Sequence, residues 1–211
     1  STEVSQQCMA RTILASMSGV HTRGLVKRNL TPSQREAFSR AAGSASSSNI
    51  YMAYAPGASL TRVRVMCKAH KRRHGLPVLV IDLASKLRGN PGTEREQLAS
   101  ISTFLSELKG ELDTCIIACV QLSRAIFTSD DRRPEMHHLK GCGNWEEDAD
   151  MVLFLHRPGY YSGNDPRTEI ILAKNRDYGD VGSTWIEWKK ATGRYERAAE
   201  RLASPPRAVQ F

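Results

Sequence analysis

The stretch Val78-Leu79-Val80-Ile81-Asp82 decides the fold. It is a short, unbroken apolar run ending in a carboxylate, the pattern of a parallel strand buried on both faces. Just upstream, residues 59–74 carry Leu60, Val63 and Cys67 at helical spacing and stop at Gly75. Downstream of the loop Gly89-Asn-Pro-Gly92, Leu98, Ile101, Leu105 and Leu108 recur at steps of three and four, which makes residues 93–112 an amphipathic helix. A second buried strand follows at 114–120. Strand and helix therefore alternate, and the economical way to bury such units is a parallel sheet between helices.

Working outward, residues 5–18 read as a helix. A second begins at Thr31-Pro32-Ser33-Gln34, where Thr31 caps the first turn, Pro32 suits the first helical position and Gln34 completes a capping box. Asn49-Ile-Tyr-Met-Ala-Tyr54, closed by Pro56-Gly57, predicts a strand. Toward the C-terminus, residues 151–155, 168–173 and 183–188 are three further strands without intervening helices. Residues 124–144 are polar and irregular, and loops of that length are usually functional. The expected fold is α/β: a mostly parallel twisted sheet with helices on both faces and antiparallel edge strands. Residues 1–196 form its domain and 197–211 a tail.

The chain has 211 residues, 40% apolar and 25% charged, enough to bury a full core, which excludes collagenous and disordered classes. No run approaches the roughly 20 apolar residues of a spanning helix. The opening Ser-Thr-Glu-Val-Ser-Gln-Gln has no basic or apolar signal region, so a cytosolic or nucleoid protein with no membrane partner is expected. A net charge of +8 favours polyanions such as nucleic acid. The five cysteines are odd in number and form no Cys-x-x-Cys pair, which predicts reduced thiols. Cys115 and Cys119 fall on one strand face, where they are expected to be buried as small hydrophobes. His70 and His74 stand one turn apart without a third ligand nearby, too few for a metal site. Arg62, Arg64, Lys68, Lys71, Arg72 and Arg73 give the helix at 59–74 a basic, solvated face.

Asp82 is the first candidate for chemistry, because ligands of open α/β sheets gather at the carboxyl ends of strands. A carboxylate there can hold the Mg²⁺ of a nucleoside triphosphate, or can simply cap the next loop. Gln121, past the neighbouring strand, can orient a water or report a γ-phosphate, and is otherwise an ordinary loop residue.

Taken in order, Ser1-Thr-Glu-Val-Ser, Asn49-Ile-Tyr, Leu79-Val-Ile-Asp82, Ile116-Ile-Ala-Cys-Val-Gln-Leu-Ser-Arg124, Asp131-Arg-Arg-Pro134, Glu146-Glu-Asp-Ala-Asp150 and Glu169-Ile-Ile-Leu-Ala-Lys-Asn-Arg176 resemble the successive motifs of the DnaB-type replicative helicases. The resemblance implies a RecA-like C-terminal ATPase domain using ATP and Mg²⁺. It also implies a homohexameric ring that moves 5′ to 3′ on single-stranded DNA and unwinds duplex, with primase and a helicase loader as further partners. On that pattern Glu3 polarises the attacking water, Asp82 is the magnesium-associated aspartate, Gln121 senses the γ-phosphate, and Lys174 and Arg176 reach the adjacent subunit's nucleotide. Lys140, Gly141 and Gly143 would grip single-stranded DNA, the lysine by charge and the glycines by letting backbone amides approach.

The chain also departs from the pattern. Asp82-Leu-Ala-Ser-Lys86 replaces the usual Asp-Tyr-Leu-Gln-Leu, Lys140-Gly141 the usual arginine-glutamate pair, and Ala53-Tyr54 the usual acidic residues, which marks a divergent member of the phage or prophage kind. No Gly-x-x-x-x-Gly-Lys-Ser/Thr occurs; the nearest spacing, Gly19-Val-His-Thr-Arg-Gly24, continues with Leu25. The phosphate loop therefore belongs either to a longer polypeptide or to an ancestor. In the second case the chain is a non-catalytic DNA-binding or helicase-modulating relative, and in either case it is expected to be inactive by itself.

Overall fold

Hydroxyl caps start the long helices. The structure, a computed structural model, describes residues 1–128, 132–139, 143–163 and 165–198. Helix α1 (Gln6–Ser18) opens with the Ser5 hydroxyl accepting from the Cys8 N–H and closes at Gly19, whose φ of 68° is the left-handed conformation glycine tolerates. A short α2 (Thr22–Lys27) precedes α3 (Pro32–Ser46), which begins in the reciprocal Thr31–Gln34 capping box. Next come α4 (Leu60–His74), capped by Ser59, and β1 (Val78–Ile81). A second capping box, Thr93 with Glu96, opens α5 (Glu94–Leu112), which leads into β2 (Cys115–Ala118). The remaining elements are α6 (Asn144–Asp148), β3 (Met151–His156), α7 (Gly159–Ser162), β4 (Arg167–Asn175), β5 (Gly182–Lys189) and β6 (Arg194–Arg197).

The fold is α/β with two sheets. Strands β1 and β2 pair in parallel, from Val78 opposite Cys115 to Ile81 opposite Ala118. The second sheet runs β3-β4-β5-β6, with β6 antiparallel to β5 and Trp188 opposite Tyr195. The chain divides into two compact units. The first comprises Ser1–Glu3, Tyr54–Phe154 and Leu172–Val181. Its core is built on α5, where Leu98, Ile101, Phe104, Leu105, Leu108 and Leu112 are buried along with Ile81, Ala84 and Leu87. Six such apolar side chains on one helix account for much of the unit's stabilisation, at about 1.5–3 kcal/mol for each fully buried Leu, Ile or Phe. The second unit comprises Val4–Ala53, Leu155–Ile171 and the chain from Gly182 onward. There α1 packs against α2 and α3, with Ala15 and Ala41 buried, and the Trp188 N–H donates to the Pro166 carbonyl at 2.8 Å.

Several expectations need correction. The sheet is not one mostly parallel layer: among the described residues the parallel part has two strands, and the later strands form a sheet of their own. Strand β1 is not buried on both faces, since Val78 and Val80 are 49% and 55% exposed. An apolar run reports that a strand seeks cover without saying which face finds it. Cys115 is exposed rather than buried, and Cys119 lies past the end of β2. The stretch Asn49 to Tyr54 forms no strand, and Ile50, Tyr51 and Tyr54 are exposed. Some short elements were not anticipated. Helices α2, α6 and α7 are too short for a periodic signal, and β6, Arg-Tyr-Glu-Arg, has no apolar alternation and is a strand through its pairing with β5.

Candidate functional site

Asp82 stands immediately beyond β1, at its carboxyl end. The parallel register continues there: the Cys119 N–H donates to the Ile81 carbonyl at 2.9 Å, and the Ala84 N–H to the Cys119 carbonyl at 2.9 Å. Asp82 and Cys119 are therefore neighbours. Burial pushes the Cys119 thiol up from its ordinary value, and the Asp82 charge adds to that. Gln121, exposed and two residues further, leaves the same edge of the sheet.

Glu3 reaches this edge through its neighbours. The Thr2 N–H donates to the Asp82 carbonyl at 2.8 Å, and the Ser1 hydroxyl donates to the same oxygen at 3.0 Å. The buried Thr2 hydroxyl donates to the Leu83 carbonyl and accepts from the Leu83 N–H, both at 2.9 Å. These four bonds anchor the segment carrying Glu3 across the turn that follows Asp82, where the Asp82–Leu83 peptide is cis. Lys86 places its ammonium 3.7 Å from the Glu3 carboxylate. The Thr2 tether carries no sequence signal. Lys86 could have been found, because it occupies the position where this chain departs from the family's usual leucine.

Three candidates, Glu3, Asp82 and Gln121, thus gather at one edge. Lys174 and Arg176 form a second cluster. Both leave the end of β4, and both turn toward α6. The Lys174 ammonium donates to the Glu146 carbonyl, and Arg176 donates from Nη2 to the Glu147 carbonyl, each at 2.5 Å. Arg176 Nη1 donates to Asp150 Oδ1 at 2.8 Å, while Lys109 Nζ donates to Asp150 Oδ2 at 2.6 Å. The Lys109 ammonium is the main reason the Asp150 carboxyl lies below its usual range, and Arg176 adds to it. Of the DNA-loop candidates, Lys140 and Gly141 lie outside the described residues. Gly143 is the N-cap of α6 with a φ of 89°, a backbone conformation that a side chain there would strain.

The residues at the sheet edge fit a Mg²⁺-nucleotide in kind. Magnesium is usually held by one or two carboxylates together with substrate phosphates and water, and Asp82 is a carboxylate at a strand end. Among the described residues no three His, Cys, Asp or Glu side chains gather as a closed cation site. The phosphate cradle has no counterpart in the nearest glycine spacing, because Gly19 closes α1 and Gly24 lies inside α2.

The described residues thus form an α/β protein with a carboxylate and a glutamine past adjacent parallel strands and two cations at the end of a later strand. The family description of the DnaB-like helicase C-terminal domain matches residues 1–197, and the chain belongs to that family. It is 32% identical to the replicative DNA helicase DnaB of Geobacillus stearothermophilus over 99% of its own length and 48% of that protein. It is 30% identical to the replicative DNA helicase DnaC of Bacillus subtilis, with the same two coverages. The chain therefore spans about half the length of the curated relatives it matches. Among solved structures it is similar to an ATPase domain, with a TM-score of 0.88 and 26% identity, covering 94% of this chain and 73% of that one. It is also similar to a DnaB-like replicative helicase described with its primase interactions, with a TM-score of 0.87 and 26% identity, covering 94% of this chain and 49% of that one. No helix among the described residues is long and apolar enough to cross a membrane.

Proposed function

We propose that this chain supplies the water-activating, magnesium-associated and neighbour-reaching residues of a replicative helicase motor, which couples ATP hydrolysis to 5′ to 3′ movement on single-stranded DNA. The observation that supports this reading is the Thr2 tether, which joins the residue next to Glu3 to the residue next to Asp82. A glutamate there polarises the attacking water, Asp82 holds the metal associated with the phosphates, and Gln121 reports the γ-phosphate. Arg176 and Lys174 place positive charge against the transferring phosphoryl group of an adjacent subunit in a homohexamer. Lys140, with Gly141 and Gly143, contacts the DNA backbone without reading sequence. Primase and a loader are the protein partners this reading expects, and the cell interior is its setting.

The 211 residues contain no phosphate loop, so this chain alone is expected to hydrolyse no ATP. The test uses a polypeptide that joins this chain to a phosphate loop. Arg176→Ala should leave nucleotide binding largely intact and lower hydrolysis by about 10³ or more. Mixed rings of Arg176→Ala and Glu3→Gln subunits should regain partial activity, because some interfaces then pair an intact arginine with an intact glutamate. Mixtures no more active than either parent would refute the shared-interface reading. Substantial DNA-stimulated turnover by the isolated chain, lost in Asp82→Ala, would refute the need for a phosphate loop.

A further inference from the structure

Lys174, near the end of β4, and Arg176, just past it, are held by one small element. Lys174 and Arg176 donate to consecutive carbonyls, those of Glu146 and Glu147, at the exposed end of α6, and Asp150 follows directly. The seat is fixed to the core helix at two points. The Ser102 hydroxyl donates to Asp148 Oδ2 at 2.6 Å, and Lys109, in the last turn of α5, holds Asp150 Oδ2. Trp145, in the first turn of α6, is buried. Both Asp150 oxygens are thus committed, one to each cation. Only a carboxylate can accept from both, because an asparagine would turn an NH₂ toward Lys109 or Arg176.

A guanidinium has five N–H donors, and the seat uses one on Nη1 and one on Nη2. The remaining donors, on a side chain 49% exposed, are left for a phosphate. Fixing two donors without exhausting the group is the arrangement expected of a preorganised cation. The other end of α6 is Gly143, whose carbonyl accepts from the Glu147 N–H at 2.7 Å. The position assigned to DNA and the carbonyls that seat the two cations therefore belong to the same short helix.

We propose that Asp150, held by Lys109, is the positioning residue for Arg176, and that α6 sets the reach of Lys174 and Arg176 together. The proposal rests on the reading that Arg176 serves a neighbouring subunit's nucleotide.

Three measurements test it. In the 211-residue chain, side-chain ¹⁵N NMR should give separate Nη signals for Arg176, because both ends of its guanidinium are held. Asp150→Asn should merge them, and Lys109→Gln should weaken the separation in the same direction. In rings that also carry a phosphate loop, Asp150→Asn should lower DNA-stimulated kcat by up to about 10², the scale of a displaced catalytic group, with KM for ATP nearly unchanged. The decisive outcome is complementation. Asp150→Asn should be rescued by mixing with Glu3→Gln subunits and not by mixing with Arg176→Ala subunits. Unchanged Arg176 signals in Asp150→Asn, or rescue by Arg176→Ala, would overturn the proposal. If Arg176→Ala and Glu3→Gln fail to complement each other, the neighbour-reaching role itself fails, and the NMR result still decides whether Asp150 seats the arginine.

Discussion

The Thr2 hydroxyl and the Leu83 backbone form a closed pair, the hydroxyl donating to the Leu83 carbonyl and accepting from the Leu83 N–H, each at 2.9 Å. The pair joins residues 81 positions apart and lies within one residue of both Glu3 and Asp82. Thr2 is 8% exposed and its bonds to Leu83 are partly buried, so losing the hydroxyl removes a sheltered partner of the Leu83 backbone. Thr2→Val keeps the shape, removes the hydroxyl and leaves the Leu83 groups unsatisfied. It should destabilise the chain by about 1–3 kcal/mol, measured as a lower urea midpoint with an unchanged slope.

Cys119 reports on Asp82. Its thiol is raised by burial and by the neighbouring carboxylate, which disfavours the reactive thiolate. In a background where Cys8, Cys67, Cys115 and Cys142 are serine, Asp82→Asn should speed alkylation of Cys119 near neutral pH. An unchanged rate across a pH series would show that the carboxylate is not beside the thiol.

The acid response of Asp150 has a definite sign. Its folded pKa is depressed, chiefly by Lys109, so its contribution to stability is complete above the unfolded value of about 3.9 and is lost as the pH falls through the folded value. The stability difference between the wild-type chain and Asp150→Asn should be constant from neutral pH down to about 5 and should shrink in more acid solution. Urea unfolding at a series of pH values measures it; a difference that grows in acid would reverse the assignment.

For DNA, the sequence offers two basic footprints, Lys140 and the helix α4. On α4, Arg64 pairs with Glu107 and Glu111, Lys68 with Glu111, and Lys71 donates to the Leu112 carbonyl, so these three serve contact with α5. Arg62, Arg72 and Arg73 are therefore the fair substitutions on that helix. Lys140→Ala should weaken single-strand binding and flatten its salt dependence by up to about 0.7 per lost phosphate contact. Glutamine at Arg62, Arg72 and Arg73 should do less. Anisotropy titrations over a salt series decide between them, and the reverse order would move the DNA from the loop to α4.

The helix starts were legible in the sequence because their causes are local. Thr31 with Gln34, Ser59, and Thr93 each satisfy N–H groups within three residues, and each caps a helix where expected. The apolar runs at Val78 and Ile116 located the parallel pair, since short aliphatic and β-branched runs favour strands even where one face stays exposed. The order of short motifs was enough to indicate the family to which the chain belongs.

Tertiary structure decided what depends on a distant partner. Val80 and Ile81 are equally apolar, but one is 55% and the other 6% exposed, because only one face of β1 meets neighbouring chain. Arg194 to Arg197 has no strand pattern and becomes a strand by pairing with β5. Lys174 and Arg176 read as two charges past a strand end. Their direction comes from the Glu146 and Glu147 carbonyls and from Asp150, 26 residues away from Arg176. Spacing along a chain records periodicity and local hydrogen bonding. It does not record which acceptor a long, flexible side chain will find, because that requires packing to bring the acceptor near.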